Sequence, residues 1–191
     1  MQHARIVLAY SGGLDTSAAI AWLAEQYSAE VIAVTLDLGQ GRELTDVRER
    51  ALAVGATRAH VLDVRDEFAS DYILPALQAG ALYEDRYPLA TALTRPLIAR
   101  KLVDVARMEG ASVIAHGCNG KANDELRLEA GVRALDPALT MLAPARIWGM
   151  TRDQLIEYAK ARHIPIPADD PYTVDTNLWG RSIEHLSLIH I

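Results

Sequence analysis

Ile6-Val7-Leu8-Ala9-Tyr10-Ser11-Gly12-Gly13-Leu14-Asp15-Thr16-Ser17 is the stretch on which the reading of this chain turns. An apolar run, residues 6–10, leads into a Ser-Gly-Gly turn, and a helical pattern from Ala18 to Ala24 follows. Strand, glycine turn and helix, in that order, build a phosphate site. Paired glycines let the backbone take positive φ and come close to a ligand. The new helix aims its unpaired N–H groups and the positive end of its dipole at the same point. Ser11, Thr16 and Ser17 add hydroxyl donors. Asp15 makes sense there beside Mg²⁺, or as a helix-start residue favoured by the dipole. The stretch is not a Walker loop, because it lacks the lysine and that spacing. A turn that uses glycine only for sterics accounts for Gly12-Gly13 but not for the polar residues around them.

Outward from this loop, strand and helix patterns alternate. Residues 5–10, 30–36, 59–62, 112–115 and 141–143 read as strands, and 15–27, 44–54, 67–79 and 94–108 as helices. Thr151-Arg152-Asp153-Gln154 fits a capping box that opens a further helix. Such alternation predicts an α/β fold, a five-stranded parallel sheet with helices on both faces. Ligands in these folds sit beyond the C-terminal ends of the strands. The loops at 11–17, 36–41 and 116–124 are therefore expected to converge on one cleft. After His163 the pattern breaks. Pro165 and Pro167 exclude an uninterrupted helix, and about 164–181 reads as an irregular crossing into a second domain.

Bulk composition bounds the possibilities. The 191 residues suffice for one sizeable domain and part of another. A net charge of −6 argues against general nucleic-acid or anionic-membrane binding, so neither is expected as a partner. The single cysteine excludes an internal disulfide framework and a cysteine-rich zinc site. The six histidines do not cluster at ligand spacing, and no transition-metal site is expected. No apolar stretch approaches the roughly 20 residues of a membrane span, and the start of the chain lacks a signal segment. The expectation is a cytoplasmic protein.

Two further stretches carry chemistry. His116-Gly117-Cys118-Asn119-Gly120-Lys121-Ala122-Asn123-Asp124-Glu125-Leu126-Arg127 places a cation, amides and a carboxylate in a glycine-rich loop between a strand and a helix. That set suits a ligand bearing both carboxylate and ammonium groups, such as an amino acid. Capping by Asn123 or Asp124 explains only part of it. Cys118 beside His116 reads as a small residue in a tight loop rather than a nucleophile. The segment Tyr83-Glu84-Asp85-Arg86-Tyr87-Pro88-Leu89-Ala90-Thr91-Ala92-Leu93-Thr94-Arg95-Pro96 crowds tyrosines and arginines where Pro88 prevents a simple helix. By itself it could equally be a long surface loop with a solvated charged face.

Taken together, the loop from Ala9 to Ser17, Tyr83-Glu84-Asp85-Arg86-Tyr87, Arg95-Pro96, His116-Gly117 with Gly120-Lys121 and Asn123-Asp124, and the later Ile164-Pro165-Ile166-Pro167 and Asp175-Thr176-Asn177-Leu178-Trp179 resemble the argininosuccinate synthase family. The similarity runs from about residue 4 to residue 184. It implies an adenine nucleotide alpha hydrolase-like (ATP pyrophosphatase), Rossmann-type domain over 1–165, the beginning of a synthetase domain over 166–184, and a non-family tail over 185–191. It also implies the reaction. The citrulline ureido oxygen attacks the α-phosphorus of ATP, pyrophosphate leaves, and aspartate displaces AMP from citrullyl-AMP. By position, the resemblance gives Ala9, Tyr10, Ser11, Gly12, Gly13, Leu14, Asp15, Thr16 and Ser17 to ATP, with Leu36 contacting adenine through backbone and Gly117 on the nucleotide. Mg²⁺ shares in neutralising phosphate charge, and Asp15 and Ser17 are the phosphate-loop candidates for a catalytic part. Tyr87, Thr91, Arg127, Thr173 and Ser182 fall to citrulline. Asn119, Asn123 and Asp124 fall to aspartate, with Asn123 also near citrulline.

This chain departs from the family pattern at four of these places: Asn119 for Thr, Ala122 for Gly, Ala92 for Ser and Leu128 for Phe. The changes bear on citrulline and aspartate more than on ATP. Family chains are considerably longer, with further citrulline contacts and a C-terminal helix used in tetramer assembly. The expectation is therefore a nucleotide-binding domain cut from a longer enzyme. The alternatives are an ATP-binding fragment without turnover, or another ATP pyrophosphatase such as a tRNA thiolase, which would want a second cysteine.

Overall fold

The computed structural model describes residues 4–41, 44–118, 123–165 and 172–185, apart from the side chains at 172, 173, 184 and 185. The strands of the main sheet are β1 (Arg5–Ala9), β2 (Glu30–Asp37), β3 (Arg58–Asp63), β4 (Val113–Ala115) and β5 (Thr140–Leu142). The helices are α1 (Leu14–Tyr27), α2 (Leu44–Ala53), α3 (Arg65–Phe68), α4 (Leu74–Gln78), α5 (Ala90–Glu109), α6 (Asp124–Leu135), α7 (Pro144–Ile147) and α8 (Arg152–Ala161). The sheet order is β3-β2-β1-β4-β5 and every pairing is parallel. The five expected strands are all present, with ends shifted by a residue or so.

β1 shows why helices cover both faces. Side chains alternate across a strand. Ile6 and Leu8 enter an apolar cluster with Ala19, Ile20 and Leu23 of α1 and Leu44 and Val47 of α2. Val7 points the other way, into a cluster with Leu97, Leu102 and Ala106 of α5 and Leu128 and Val132 of α6. A strand buried on both faces needs no polar alternation, which is why residues 6–10 read as a continuous apolar run. The chain winds from β1 outward to β2 and β3. It then returns across the sheet through α5 to β4, on the other side of β1, so β1 and β4 flank the point where the winding reverses.

Three elements differ from their sequence reading. Helix α5 starts at Ala90 rather than at 94, so Pro96 lies inside it. Proline leaves the carbonyl four residues back without its donor, but Ala90, Thr94 and Leu97 are all buried on one face and hold the first turns in place. The helix expected over 67–79 is interrupted by a π-helical segment, Ala69–Ile73, between α3 and α4. The wider turn keeps Tyr72 and Ile73 packed beside the buried Phe68. The stretch 172–181 is not irregular. Its residues belong to an antiparallel hairpin, β6 (Tyr172–Asn177) and β7 (Gly180–His185). Asn177 Oδ1 closes its turn by accepting from the N–H groups of Trp179 (2.8 Å) and Gly180 (3.2 Å). The earlier part of the crossing, 166–171, and the tail at 186–191 lie outside the described residues.

The hairpin rests on the main domain. Leu178 N–H donates to Leu38 O (2.9 Å), Trp179 Nε1 to Pro88 O (2.6 Å) and Asn177 Nδ2 to Ala90 O (2.9 Å). The capping box at Thr151 is formed as expected, with Gln154 N–H donating to Thr151 Oγ1 (3.3 Å) and Thr151 N–H to Gln154 Oε1 (2.9 Å). Among the described residues, no helix is long and apolar enough to cross a membrane.

Leu102 is wholly buried between α5 and the sheet. Leu102→Ala is expected to cost about 2–5 kcal/mol in urea unfolding. A cost below about 1 kcal/mol would contradict its place in the core.

Candidate functional site

The turn after β1 has the geometry of an anion cradle. Gly12 sits at φ +79°. Its position is closed on the α2 side as well, since a Cβ there would lie 3.2 Å from Val47 Cγ1. Arg50 of α2 reaches over and donates to Gly12 O (2.8 Å), which fixes the peptide's orientation. Gly13 is the N-cap of α1 and offers no side-chain cap. Ser17 N–H is bonded back to Gly13 O (3.0 Å). The N–H groups of the first turn before it therefore point out of the helix end.

Hydroxyls of the loop divide into two sets. Tyr10 OH and Ser17 Oγ are 3.0 Å apart, and both residues are buried. Burial pushes the Tyr10 phenol above its ordinary range, so it stays protonated. Ser17, a sequence candidate for direct phosphate contact, thus spends its hydroxyl on Tyr10 beneath the loop. Ser11 Oγ and Thr16 Oγ1 are 3.1 Å apart, and Thr16 Oγ1 also donates to Gly13 O (3.3 Å). Ser11 and Asp15 are exposed, and Leu14 and Ala18 turn into a small cluster with Leu155 of α8.

Gly117, just beyond β4, meets this loop from the side. A Cβ at Gly117 would fall 2.6 Å from Thr16 Cγ2. No side chain fits there, so the two glycine loops are in direct apposition. Cys118 N–H donates to His116 Nδ1 (3.2 Å). Burial pushes the Cys118 thiol up, which keeps it a thiol and not a nucleophile. Asn119, Gly120, Lys121 and Ala122 lie outside the described residues. At the end of β2, Leu36 is buried. Its carbonyl accepts from Gln40 Nε2 (2.8 Å), while Leu38 N–H donates to Gln40 Oε1 (2.7 Å). The sequence reading missed Gln40, whose amide meets both backbone groups.

Among the residues assigned to amino-acid substrates, Asp124 and the helical neighbour Thr91 lie beside Arg95. Its guanidinium lies 2.8 Å from Asp124 and 3.6 Å from Asp175 of β6. Arg127 Nη1 is 3.2 Å from the other Asp124 oxygen. Tyr87 OH accepts from Thr91 N–H (3.0 Å) at the start of α5. Thr91 Oγ1 and Arg95 Nε are buried and have no hydrogen-bond partner among the described residues. Both residues line a cleft of about 250 Å³ between α5, the loop after β2 and the hairpin. Asn123 is exposed and occupies the N-cap of α6, but its side chain makes no cap, contrary to the expectation. Ser182 lies on β7 opposite Asp175, and Thr173 opposite Glu184, the Thr173 side chain being outside the described residues. Arg95 stood in the quoted motif without a role. Its signal was a lone arginine before a proline, in a stretch rich in tyrosine.

A ring nitrogen of His116 and carboxylate oxygens of Glu125 and Glu129 lie within 4.8 Å of one another, a set of atoms that could ligate a cation. Arg146 of α7 already pairs with both carboxylates. An ion there would have to displace a guanidinium.

The contact between Gly117 and Thr16 has a direct consequence. Gly117→Ala is expected to destabilise the chain by about 1–3 kcal/mol through overpacking. Denaturant unfolding measures it, and an unchanged midpoint would contradict the apposition of the loops.

Comparison with known proteins agrees with this architecture. Residues 5–165 match the family described as the arginosuccinate synthase N-terminal HUP domain. The argininosuccinate synthase of Streptococcus thermophilus is 56% identical over 186 residues, covering 96% of this chain and 46% of its own. That of Dehalococcoides mccartyi is 57% identical over 182 residues, covering 94% and 45%. The chain thus spans about half the length of the curated relatives it matches. A crystal structure titled as a predicted subunit of tRNA methyltransferase from Methanocaldococcus jannaschii superposes with a TM-score of 0.52 at 16% identity, over 82% of this chain and 76% of that one, a likeness of fold. The chain belongs to the argininosuccinate synthase family, and its parallel sheet with flanking helices is that family's N-terminal HUP domain.

Proposed function

We propose that this chain is the ATP-binding part of an ATP-dependent C–N ligase that joins citrulline and aspartate into argininosuccinate. The observation that carries the proposal is the contact of two glycine loops at the open N-terminal end of α1, with Gly117 seated on Thr16, in a chain of this family. In this reading the first-turn N–H groups of α1 and the backbone of residues 11–13 hold the pyrophosphate portion of ATP. Ser17 acts from below, by fixing Tyr10. Gln40 is displaced from Leu36, or shares it, when adenine binds at the end of β2.

The chemistry is alignment and charge neutralisation. The citrulline ureido oxygen attacks the α-phosphorus, pyrophosphate leaves, and the aspartate amine then displaces AMP. Asp15 offers one exposed carboxylate beside the loop. That is the single-carboxylate arrangement with which Mg²⁺ commonly binds, its other positions going to phosphate oxygens and water. Bound there, the ion would neutralise charge on the leaving pyrophosphate. Arg127 and Asp124 are among the described groups able to take a substrate carboxylate and a substrate amine, once the pairs that Asp124 forms with Arg127 and Arg95 open. We assign residues 1–165 to the ATP-binding domain and 166–184 to the start of a second domain, in a cytoplasmic enzyme.

Pyrophosphate release from ATP and Mg²⁺, with and without citrulline and aspartate, tests the proposal. Release that requires citrulline is the expected result. Release independent of citrulline, or no ATP binding at all, would contradict it. Tight ATP binding without release would leave a nucleotide-binding role in place of the ligase.

A further inference from the structure

His116 follows β4 and is 1% exposed, yet both its ring nitrogens are engaged. Nδ1 accepts the Cys118 N–H at 3.2 Å, and Nε2 lies 3.4 Å from Glu129 Oε1 on α6. A nitrogen that accepts carries no proton, so the neutral ring holds its hydrogen on Nε2, directed at Glu129. Burial holds the ring's pKa below its ordinary value, against the pull of Glu129 and Glu125, with Arg146 acting in the same direction as burial. Arg146 of α7 pairs with both glutamates, reaching the same Glu129 oxygen that faces the ring. The ring is therefore fixed by α6 and α7 and in turn fixes the chain two residues further on. Between ring and anchor lies Gly117, with no room for a side chain against Thr16.

We propose that His116 is a positioning residue of the nucleotide loop: through Nδ1 it holds the Cys118 N–H and so keeps Gly117 seated on Thr16 beside the phosphate-binding end of α1. The inference rests on the ATP reading given above. A glycine has more conformations to lose than any other residue, so a loop built on one needs an anchor close by. An apolar side chain of similar size would fill the space. It would leave the Cys118 N–H without this acceptor and take one donor from the Glu129 carboxylate, which keeps Arg146. A loop ordered beforehand lowers the cost of ligand binding. Because Glu129 shares α6 with Asp124 and Arg127, the same ring ties the nucleotide loop to the helix that carries the substrate candidates.

Two substitutions separate positioning from packing. His116→Asn carries an amide oxygen near the place of Nδ1 and abandons Glu129. His116→Gln reaches the place of Nε2 and abandons the Cys118 N–H. ATP–Mg²⁺ binding by titration calorimetry at neutral pH is expected to fall about tenfold or more in His116→Gln, and to be rescued to within about threefold of the parent in His116→Asn. Equal losses in both variants, or no loss in His116→Gln, would overturn the proposal. The parent protein supplies a measurement that needs neither folding of a variant nor ATP. Imidazole ¹⁵N shifts of His116 are expected to report the Nε2–H form, with slow hydrogen exchange at the Cys118 amide. An Nδ1–H ring or a freely exchanging Cys118 amide overturns the proposal whether or not ATP binds. An Nε2–H ring with a protected Cys118 amide in a protein that fails to bind ATP would count against the ATP reading alone.

Discussion

The parallel pairing of β1 with β4 is the constraint on which the site depends. Ile6, Val7 and Leu8 lie in register with Val113, Ile114 and Ala115, so the two strands end level with each other. The loops that leave them must then share one small volume, and Gly117 comes to rest on Thr16. The first loop turns toward α1 and the second toward α6, on opposite faces of the sheet. A crevice at the reversal of winding follows from that divergence. Remove the pairing and each glycine loop becomes an ordinary strand-to-helix turn.

Charge on the surface of the domain does less holding than its abundance suggests. Arg162 with Glu25, Arg65 with Asp63 and Arg107 with Asp136 all involve substantially exposed side chains. Such exposed pairs are screened by solvent and contribute little. The polar groups that matter are the buried and half-buried ones. Arg50 fixes the Gly12 peptide, Tyr10 occupies Ser17, and His116 joins Cys118 to α6. Thr91 Oγ1 and Arg95 Nε have the opposite character: they are buried, without a partner among the described residues, and adjacent to the cleft. An unmade buried hydrogen bond costs about 1–3 kcal/mol. That cost falls on the α5 wall of the cleft.

The sheet and the first loop were legible because local and global signals agree there. Residues 6–10 are apolar on both faces, the glycines permit the turn, and Ile20 and Leu23 recur at helical spacing. The start of α5 was not, because Pro96 looks like the opening of a helix and only burial of Ala90 and Thr94 shows that it is interior. The π segment was hidden for a similar reason, since its cause is the packing of Tyr72 and Ile73 beside Phe68. The hairpin escaped notice because its strands are short and half-solvated, with Val174 and Ile183 exposed, and because Pro165, Pro167 and Pro171 dominate the stretch before it. Its turn was readable in principle, since an asparagine before a tight turn commonly bonds to the backbone ahead of it. In the candidate site, the motifs mark the loops but not the contacts that brace them. Arg50, Gln40 and His116 act through contacts between elements distant in sequence or through one ring's orientation, neither of which a linear pattern displays.

The central claim is that the loops after β1 and β4 form one nucleotide site. An amide ¹H–¹⁵N spectrum of the protein titrated with ATP and Mg²⁺ tests it most directly. The account predicts that amides of residues 11–17 and of Gly117 and Cys118 shift together along a single binding curve. Shifts confined to one loop, or to the cleft beneath the hairpin, would contradict it.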